Sequence, residues 1–185
     1  MRKNFGSKPW LYPQPVLIIA SYNEDGTANA MNAAWGGTSG MDTISICVAE
    51  HKSTDNILRN KAFTVSIGDA EHVAECDYVG IVSGKKVPDK LERAKFTVEK
   101  SEFVNAPVIR ELPMAMECEL LSYDEKTERM VGKIVNISVD EKALNEKGEV
   151  DSAKLEAIVF DPIEGIYRKV GEKAGNAFSD GAKIK

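Results

Sequence analysis

The sequence predicts a mainly β fold with short helices, an antiparallel barrel of α+β character, and three observations predict it. Apolar residues alternate over strand-length segments, as in Thr43 to Ala49, where Ile44, Ile46 and Val48 interleave with Thr43, Ser45 and Cys47. Turn chemistry punctuates these segments, as at Asn23-Glu24-Asp25-Gly26, where Asp-Gly accepts positive φ at low cost. The regular alternation of strands with long helices that a doubly wound parallel sheet requires is missing.

The elements follow in order. Pro15 to Tyr22 reads as a buried strand, because Val16, Leu17, Ile18 and Ile19 form a short apolar run rich in β-branched residues. After the Asp-Gly turn the next strand is expected from Thr27 to Trp35, and Gly36, Gly37 and Gly40 loosen the chain before the alternating strand at Thr43 to Ala49. Ser53, Thr54 or Asp55 can cap a short helix through Ile57, Leu58 and Arg59, and Phe63 to Ile67 returns as a strand. Residues 69 to 79 have helical spacing, with Ala70, Val73, Ala74 and Cys76 or Tyr78 on one stripe. Ser83 to Lys90 is a basic loop in which Pro88 opens a brief helix. Met114 to Tyr123, started by Pro113, and Met130 to Val139 are two further strands. Asp140 to Lys154 is a charged, solvent-facing excursion with a little helix at Ser152 to Ala157. Ile158 to Phe160 and Gly165 to Val170 form a closing hairpin, and the tail from Glu172 is peripheral.

Length and composition exclude several classes. A chain of 185 residues suits one domain, residues 1–185, and is long enough to bury a core. A net charge of −5 argues against a nucleic-acid binder that works by neutralising phosphates. Cys47, Cys76 and Cys118 lie far apart with no C-x-x-C, and their odd number excludes a fully paired intrachain disulfide set, which points to a reducing cytoplasm and to structural thiols. The N-terminus lacks the apolar core of a signal peptide, and no run reaches membrane-spanning length.

Two neighbouring segments carry the chemistry. In Asn29 to Trp35, the small Ala30, Ala33 and Ala34 leave the backbone bare enough for a flat ring to approach, Asn29 and Asn32 can answer carbonyl and imide groups, and Trp35 can wall the edge. The plainer alternative is an edge strand packed on a helix, with Trp35 in the core. In His51-Lys52-Ser53-Thr54, a helix start offers charge, hydroxyls and free N–H groups to a phosphate, though taken alone this pattern also describes an ordinary capped helix with a solvated lysine. Together the segments read as a flavin site. His51 and His72 have no metal-ligand spacing, so no metal is expected. Gly36 to Gly40 does not match G-x-G-x-x-G, Gly80 to Lys85 misses the P-loop spacing, and no G-x-S-x-G supports a hydrolase.

The order of motifs adds to this reading. Gly26 to Trp35, His51 to Ile57, Phe63 to Ile67, Asp77-Tyr78-Val79-Gly80-Ile81-Val82-Ser83-Gly84 with Asp89-Lys90, and Tyr167 to Gly171 follow one another at a spacing that resembles the flavin reductase-like, FMN-binding split-barrel family, and within it the flavoredoxin-like group. The resemblance spans residues 10 to 171. It implies a split β-barrel, an antiparallel barrel of Greek-key-like connectivity, that works as a homodimer holding FMN noncovalently near the subunit interface. Asn29, Asn32, Ala33, Ala34 and Trp35 would line the flavin, His51, Lys52, Ser53 and Thr54 would surround its phosphate or ribityl chain, and Lys90 would approach it as the candidate for tuning its potential. Where relatives often place a histidine, this chain reads Thr127-Glu128-Arg129-Met130, and the aromatic near the C-terminal hairpin is either Phe160 or Tyr167.

The implied activity is that of an FMN-dependent oxidoreductase, in which NADH or NADPH binds transiently and small molecules or proteins act as donor and acceptor. The alternatives are an FMN electron carrier that exchanges electrons with a protein partner, and an FMN-binding module without redox turnover.

Overall fold

The structure is a computed structural model that describes residues 1–184. From the N-terminus the chain forms β1 (Gln14–Pro15), β2 (Leu17–Tyr22), β3 (Ala28–Ala33), β4 (Gly36–Thr38) and β5 (Thr43–Cys47), followed by α1 (Lys52–Asn60) and β6 (Ala62–Ile67). Two helices, α2 (Val73–Ile81) and α3 (Lys90–Arg93), then lead to β7 (Val98–Lys100) and β8 (Pro107–Ile109). The long strands β9 (Met114–Asp124) and β10 (Arg129–Val139) precede β11 (Ile158–Asp161) and β12 (Ile166–Lys169). No helix among the described residues is long and apolar enough to cross a membrane.

The main sheet has seven strands in the order β3-β2-β6-β9-β10-β5-β4, every neighbouring pair antiparallel, and it curls into a split barrel. Its two edges, β3 and β4, are consecutive in sequence, so Ala34 and Trp35 alone carry the chain across the seam. The strand expected to run unbroken from Thr27 to Trp35 therefore ends at Ala33, and the glycines expected to loosen the chain instead form β4 with Thr38. At this seam the Trp35 carbonyl accepts a hydrogen bond from the Cys47 N–H at 2.7 Å. A Cβ on Gly36 would meet Leu17 Cδ1 at 3.0 Å and Ile46 Cγ1 at 3.1 Å, which explains a glycine where the two edges crowd.

The apolar run of β2 is buried on both faces, as a near-continuous hydrophobic strand requires. Leu17 and Ile19 point into the barrel with Ile44, Ile46, Phe63, Val65, Met116, Cys118 and Met130. Val16, Ile18 and Ala20 face outward, where Cys76 and Val79 of α2, Leu91 of α3 and Ile109 of β8 cover them. The β9–β10 pairing carries two bulges, at Leu121 of β9 and at Val135 of β10, and the side chains of β10 keep their alternation, with Met130 and Gly132 buried while Lys133, Val135 and Ile137 face solvent.

Inside the barrel, a Cβ on Gly132 would lie 2.5 Å from Cζ of the fully buried Phe63. Gly132→Ala is expected to lower unfolding free energy by about 1–3 kcal/mol through overpacking. A urea midpoint equal to that of the parent would contradict it.

Other expectations change in the structure. The helix expected over 69–79 starts at Val73, because the Asp69 carboxylate takes hydrogen bonds from the His72 N–H and ring nitrogen, both at 2.9 Å, and holds 69–72 as a turn. The helix α1 starts at Lys52 with His51 as its extended N-cap and no side-chain cap, so Ser53, Thr54 and Asp55 lie inside its first turn instead of capping it. The segment 152–157 is not helical: Ala157 bridges to Asp69, and a short 3₁₀ turn forms earlier, at Glu141–Ala143. The pair β7–β8 has no counterpart in the sequence reading, since three-residue strands are too short for alternation to register. The closing hairpin β11–β12 forms as expected and gains β1 as a third strand.

Candidate functional site

Two adjoining hollows open beside the edge strand β3, and they share Met31 and His51. The first, about 400 Å³, is lined by Asn29, Lys52, Ser53 and Lys90 together with the 79–85 segment. The second, about 380 Å³, is lined by Asn32, Ala33, Ala34, Trp35, Val48 and Phe160. Each lies within the size range of small-molecule sites.

The first hollow is built to hold an anion. The helix α1 begins at its wall, and the N–H groups of Lys52, Ser53 and Thr54 make no backbone hydrogen bond, the ladder starting with Asp55 N–H to the His51 carbonyl at 3.1 Å. Asn29 Nδ2 donates to Ser53 Oγ at 2.8 Å, so the hydroxyl proton of Ser53 is directed elsewhere and remains available to a ligand. This approach needs Gly84, where a Cβ would fall 2.3 Å from Asn29 Oδ1. Among the described residues Lys52 Nζ donates to the Gly84 carbonyl alone, at 3.3 Å.

Lys90 is 3 % exposed, and its ammonium donates to the carbonyls of Val79 and Val82 at 3.1 and 3.0 Å, at the C-terminal end of α2. Among the described residues no carboxylate pairs with it or with Lys52. Burial, and then the nearby charge of Lys52, push its pKa down to about 8. Two cations with no counter-ion among the described residues, next to free helix N–H groups, form a cradle that a phosphate dianion would complete. The Lys85 to Asp55 ion pair at the outer rim spans 3.2 Å with both side chains about half exposed, and contributes little.

The second hollow is largely apolar. Ala33 and Ala34 present bare backbone at the barrel seam, and Trp35 stands 61 % exposed at its mouth instead of in the core. Asn32 lines the hollow, but its Nδ2 donates to the Cys76 carbonyl at 3.1 Å, which ties β3 to α2. Both descriptions of this segment therefore hold in part: β3 is an edge strand packed on a helix, and it also forms a pocket wall.

Most of the expected residues converge. Asn29, Lys52, Ser53 and Lys90 meet in the first hollow, Asn32, Ala33, Ala34 and Trp35 in the second, and His51 borders both. Thr54 departs from the group: it lines neither hollow, and its buried hydroxyl donates to the Ala49 carbonyl at 2.6 Å, securing the loop before α1. Lys90 lies on the cradle side and not among the residues lining the second hollow. Of the two C-terminal aromatics, Phe160 lines the second hollow, whereas Tyr167 donates to Asp77 Oδ1 at 2.7 Å behind it, and burial and this carboxylate push its phenol pKa up. At the 127–130 segment it is Glu128, not Arg129, that lines the hollow.

Sequence reasoning missed Met31, which separates the two hollows, and misplaced Cys47. That thiol is exposed and lines the second hollow because it lies on the outward parity of β5, while Cys76 and Cys118 are buried and their pKa values are pushed up to about 12. The outward parity of Cys47, opposite Ile44, Ile46 and Val48, was the available signal. Among the described residues no group of three His, Cys, Asp or Glu side chains could hold a metal.

Residues 10–155 match the model of the flavin reductase-like domain. The chain belongs to the flavin reductase-like domain family. The flavoredoxin of Desulfovibrio vulgaris (Miyazaki F) superimposes with a TM-score of 0.93 at 34 % identity, covering 98 % of this chain and 100 % of that one. The flavoredoxin of Methanosarcina acetivorans does so with a TM-score of 0.89 at 26 % identity over the full length of both chains. A protein of Pyrococcus abyssi described as uncharacterized is 29 % identical over 140 residues, 72 % of this chain and 78 % of its own. In this flavin reductase-like chain the cradle and the second hollow both fall within the residues matched to the family, apart from Phe160.

Proposed function

We propose that this flavin reductase-like protein is an FMN-dependent oxidoreductase that binds its flavin noncovalently, with the phosphate in the first hollow and the ring system in the second. The observation that carries the reading is the cradle itself: two lysines with no counter-ion among the described residues and the free N–H groups at the start of α1 line a hollow that adjoins a second, largely apolar one. Bound FMN would supply the redox chemistry, taking up electrons from a donor such as NADH or NADPH and passing them to an acceptor. The chain's own residues bind and orient. Lys52, Ser53 and the start of α1 hold the anionic end, Asn29 fixes the direction of the Ser53 hydroxyl, and Thr54 fixes the loop that carries His51. Ala33 and Ala34 admit the ring to the backbone, and Trp35 and Phe160 flank it and exclude water.

The exposed mouth of the second hollow leaves room for a second reactant to reach a bound ring. The exposed Trp35 supports a homodimer formed at this edge of the barrel. We place the protein in the cytoplasm, on the strength of its unpaired cysteines.

The purified protein is expected to show the visible absorption bands of oxidised flavin, or to acquire them when mixed with FMN. NADH or NADPH under anaerobic conditions is then expected to bleach them. A colourless protein that stays apo in excess FMN would end the reading. Tight FMN binding without bleaching by either nucleotide would replace it with the carrier reading.

A further inference from the structure

Behind the second hollow a short series of polar side chains ties three elements together. Tyr167 of β12 donates its hydroxyl proton to Asp77 Oδ1 of α2 at 2.7 Å, and Asn32 of β3 donates from Nδ2 to the Cys76 carbonyl of α2 at 3.1 Å. The Asn32 amide also donates to the Tyr167 phenol oxygen, a contact that works against the upward push of burial and Asp77 on the phenol pKa. Gly80 permits the arrangement: a Cβ there would meet Asn32 Cβ at 2.9 Å, so α2 packs closely on the edge strand. Of the three polar side chains, only Asn32 lines the hollow.

The direction of each proton follows from the chemistry of the groups. A backbone carbonyl can only accept, so the Asn32 atom that faces Cys76 is the amide nitrogen. An ionised carboxylate can only accept, so the Tyr167 proton points to Asp77 and the phenol oxygen is left to accept from the second N–H of Asn32. Turning the amide over would set Oδ1 against two oxygens that have no proton to give. Both N–H groups are thus spent on the α2 side, and among the described residues nothing donates to Asn32 Oδ1. Nor is that oxygen sealed inside the protein.

We infer that Asp77 and Tyr167 are positioning residues that hold the Asn32 amide with its carbonyl oxygen toward the second hollow, where it accepts a hydrogen bond from an N–H of the bound ring. Oxidised isoalloxazine carries a single N–H, the imide at N3, and that is the group Asn32 takes. Asp77 acts from two side chains away: it sets the direction of the phenol proton, and the phenol sets the face of the amide. A site built this way rejects a ring that lacks the N–H, because the amide oxygen is then left without a donor. The assignment rests on the proposed flavin site and adds a contact within it.

Titrations of the full chain with FMN, 3-methyl-FMN and 5-deaza-FMN read the contact, because the first analogue lacks the N3 proton and the second keeps it. The parent is expected to bind FMN and 5-deaza-FMN alike, and 3-methyl-FMN at least about tenfold more weakly, the scale of one hydrogen bond lost with its acceptor unpaired. Asn32→Ala should abolish the preference. Tyr167→Phe and Asp77→Asn alter side chains that do not line the hollow, and each should reduce the preference several-fold. The readout is a ratio of affinities within one protein, so a variant that only lowers stability leaves it unchanged, and thermal melts confirm that each variant is folded. An unchanged ratio in both Tyr167→Phe and Asp77→Asn overturns the positioning role. Equal binding of FMN and 3-methyl-FMN by the parent overturns the N3 contact while leaving the flavin site standing. A parent that binds none of the three flavins overturns the flavin site and this contact with it.

Discussion

Replacing Lys52 and Ser53 together with alanine is expected to weaken FMN binding at least about a hundredfold, because each removes a charge-assisted contact of about 1.5–3 kcal/mol. Quenching of flavin fluorescence during titration reads the change directly. The structure sharpens which hydroxyl matters. Ser53 Oγ accepts from Asn29 and keeps its proton for the ligand, whereas the Thr54 hydroxyl is committed to the Ala49 carbonyl. Thr54→Val should therefore act through the loop before α1 and cost much less than Ser53→Ala. Equal titration curves for the parent and the Lys52/Ser53 double variant would remove α1 from the phosphate site.

Raising the pH from 7 to 9 is expected to move apoprotein stability and FMN affinity in opposite directions, through Lys90. Its pKa is depressed to about 8 in the folded protein, by burial first and then by Lys52. Between about 8 and its ordinary value the unfolded chain binds the proton and the folded chain does not, so Lys90 makes stability rise with pH. A phosphate beside the ammonium raises the pKa again. Affinity is then fully present below about 8 and falls as pH increases, by up to about tenfold per unit. The window closes near pH 9, because Cys76 and Cys118 are pushed up from 9.0 to about 12 and ionise first in the unfolded chain, which removes stability above that pH. Lys90→Met should flatten both trends between pH 7 and 9. Thermal melts of apoprotein and FMN titrations at the same pH values supply the comparison, and parallel slopes in the parent and the variant would rule out Lys90 as the source.

The two predictions differ in what made them accessible. Lys-Ser-Thr at a helix start is visible in contiguous letters, and the physics of an anion at free N–H groups needs no knowledge of the fold. The suppressed proton affinity of Lys90 is invisible in sequence, because it depends on burial against the end of α2 and on Lys52, which lies 38 positions away. The same division runs through the pocket walls. Alternation along Thr43 to Ala49 marked Ile44, Ile46 and Val48 as core, and the buried faces agree. Cys47, expected as a buried structural thiol, instead lies on the opposite parity from that core, and the hairpin at 124–128 and the seam at Trp35 turn its outward face into the side of a hollow. Phe160 and Tyr167 are cross-strand partners, with ring centroids 6.0 Å apart, and their letters alone do not say which faces the ring site.

By itself the sequence determined the mainly β barrel, the order of its long strands, the family, and most of the residues that meet at the two hollows. These follow from periods of two, from turn residues and from contiguous motifs, all of which are local properties of the chain. The tertiary structure decided that the barrel splits at Ala34 and Trp35, that Thr54 braces a loop while Ser53 faces the cradle, and that Lys90 and Lys52 have no counter-ion among the described residues. Those outcomes depend on side chains brought together across long stretches of sequence, as Asn29 is with Ser53 and Gly84. Burial and charge act through space, and a linear pattern does not encode the distances that set them.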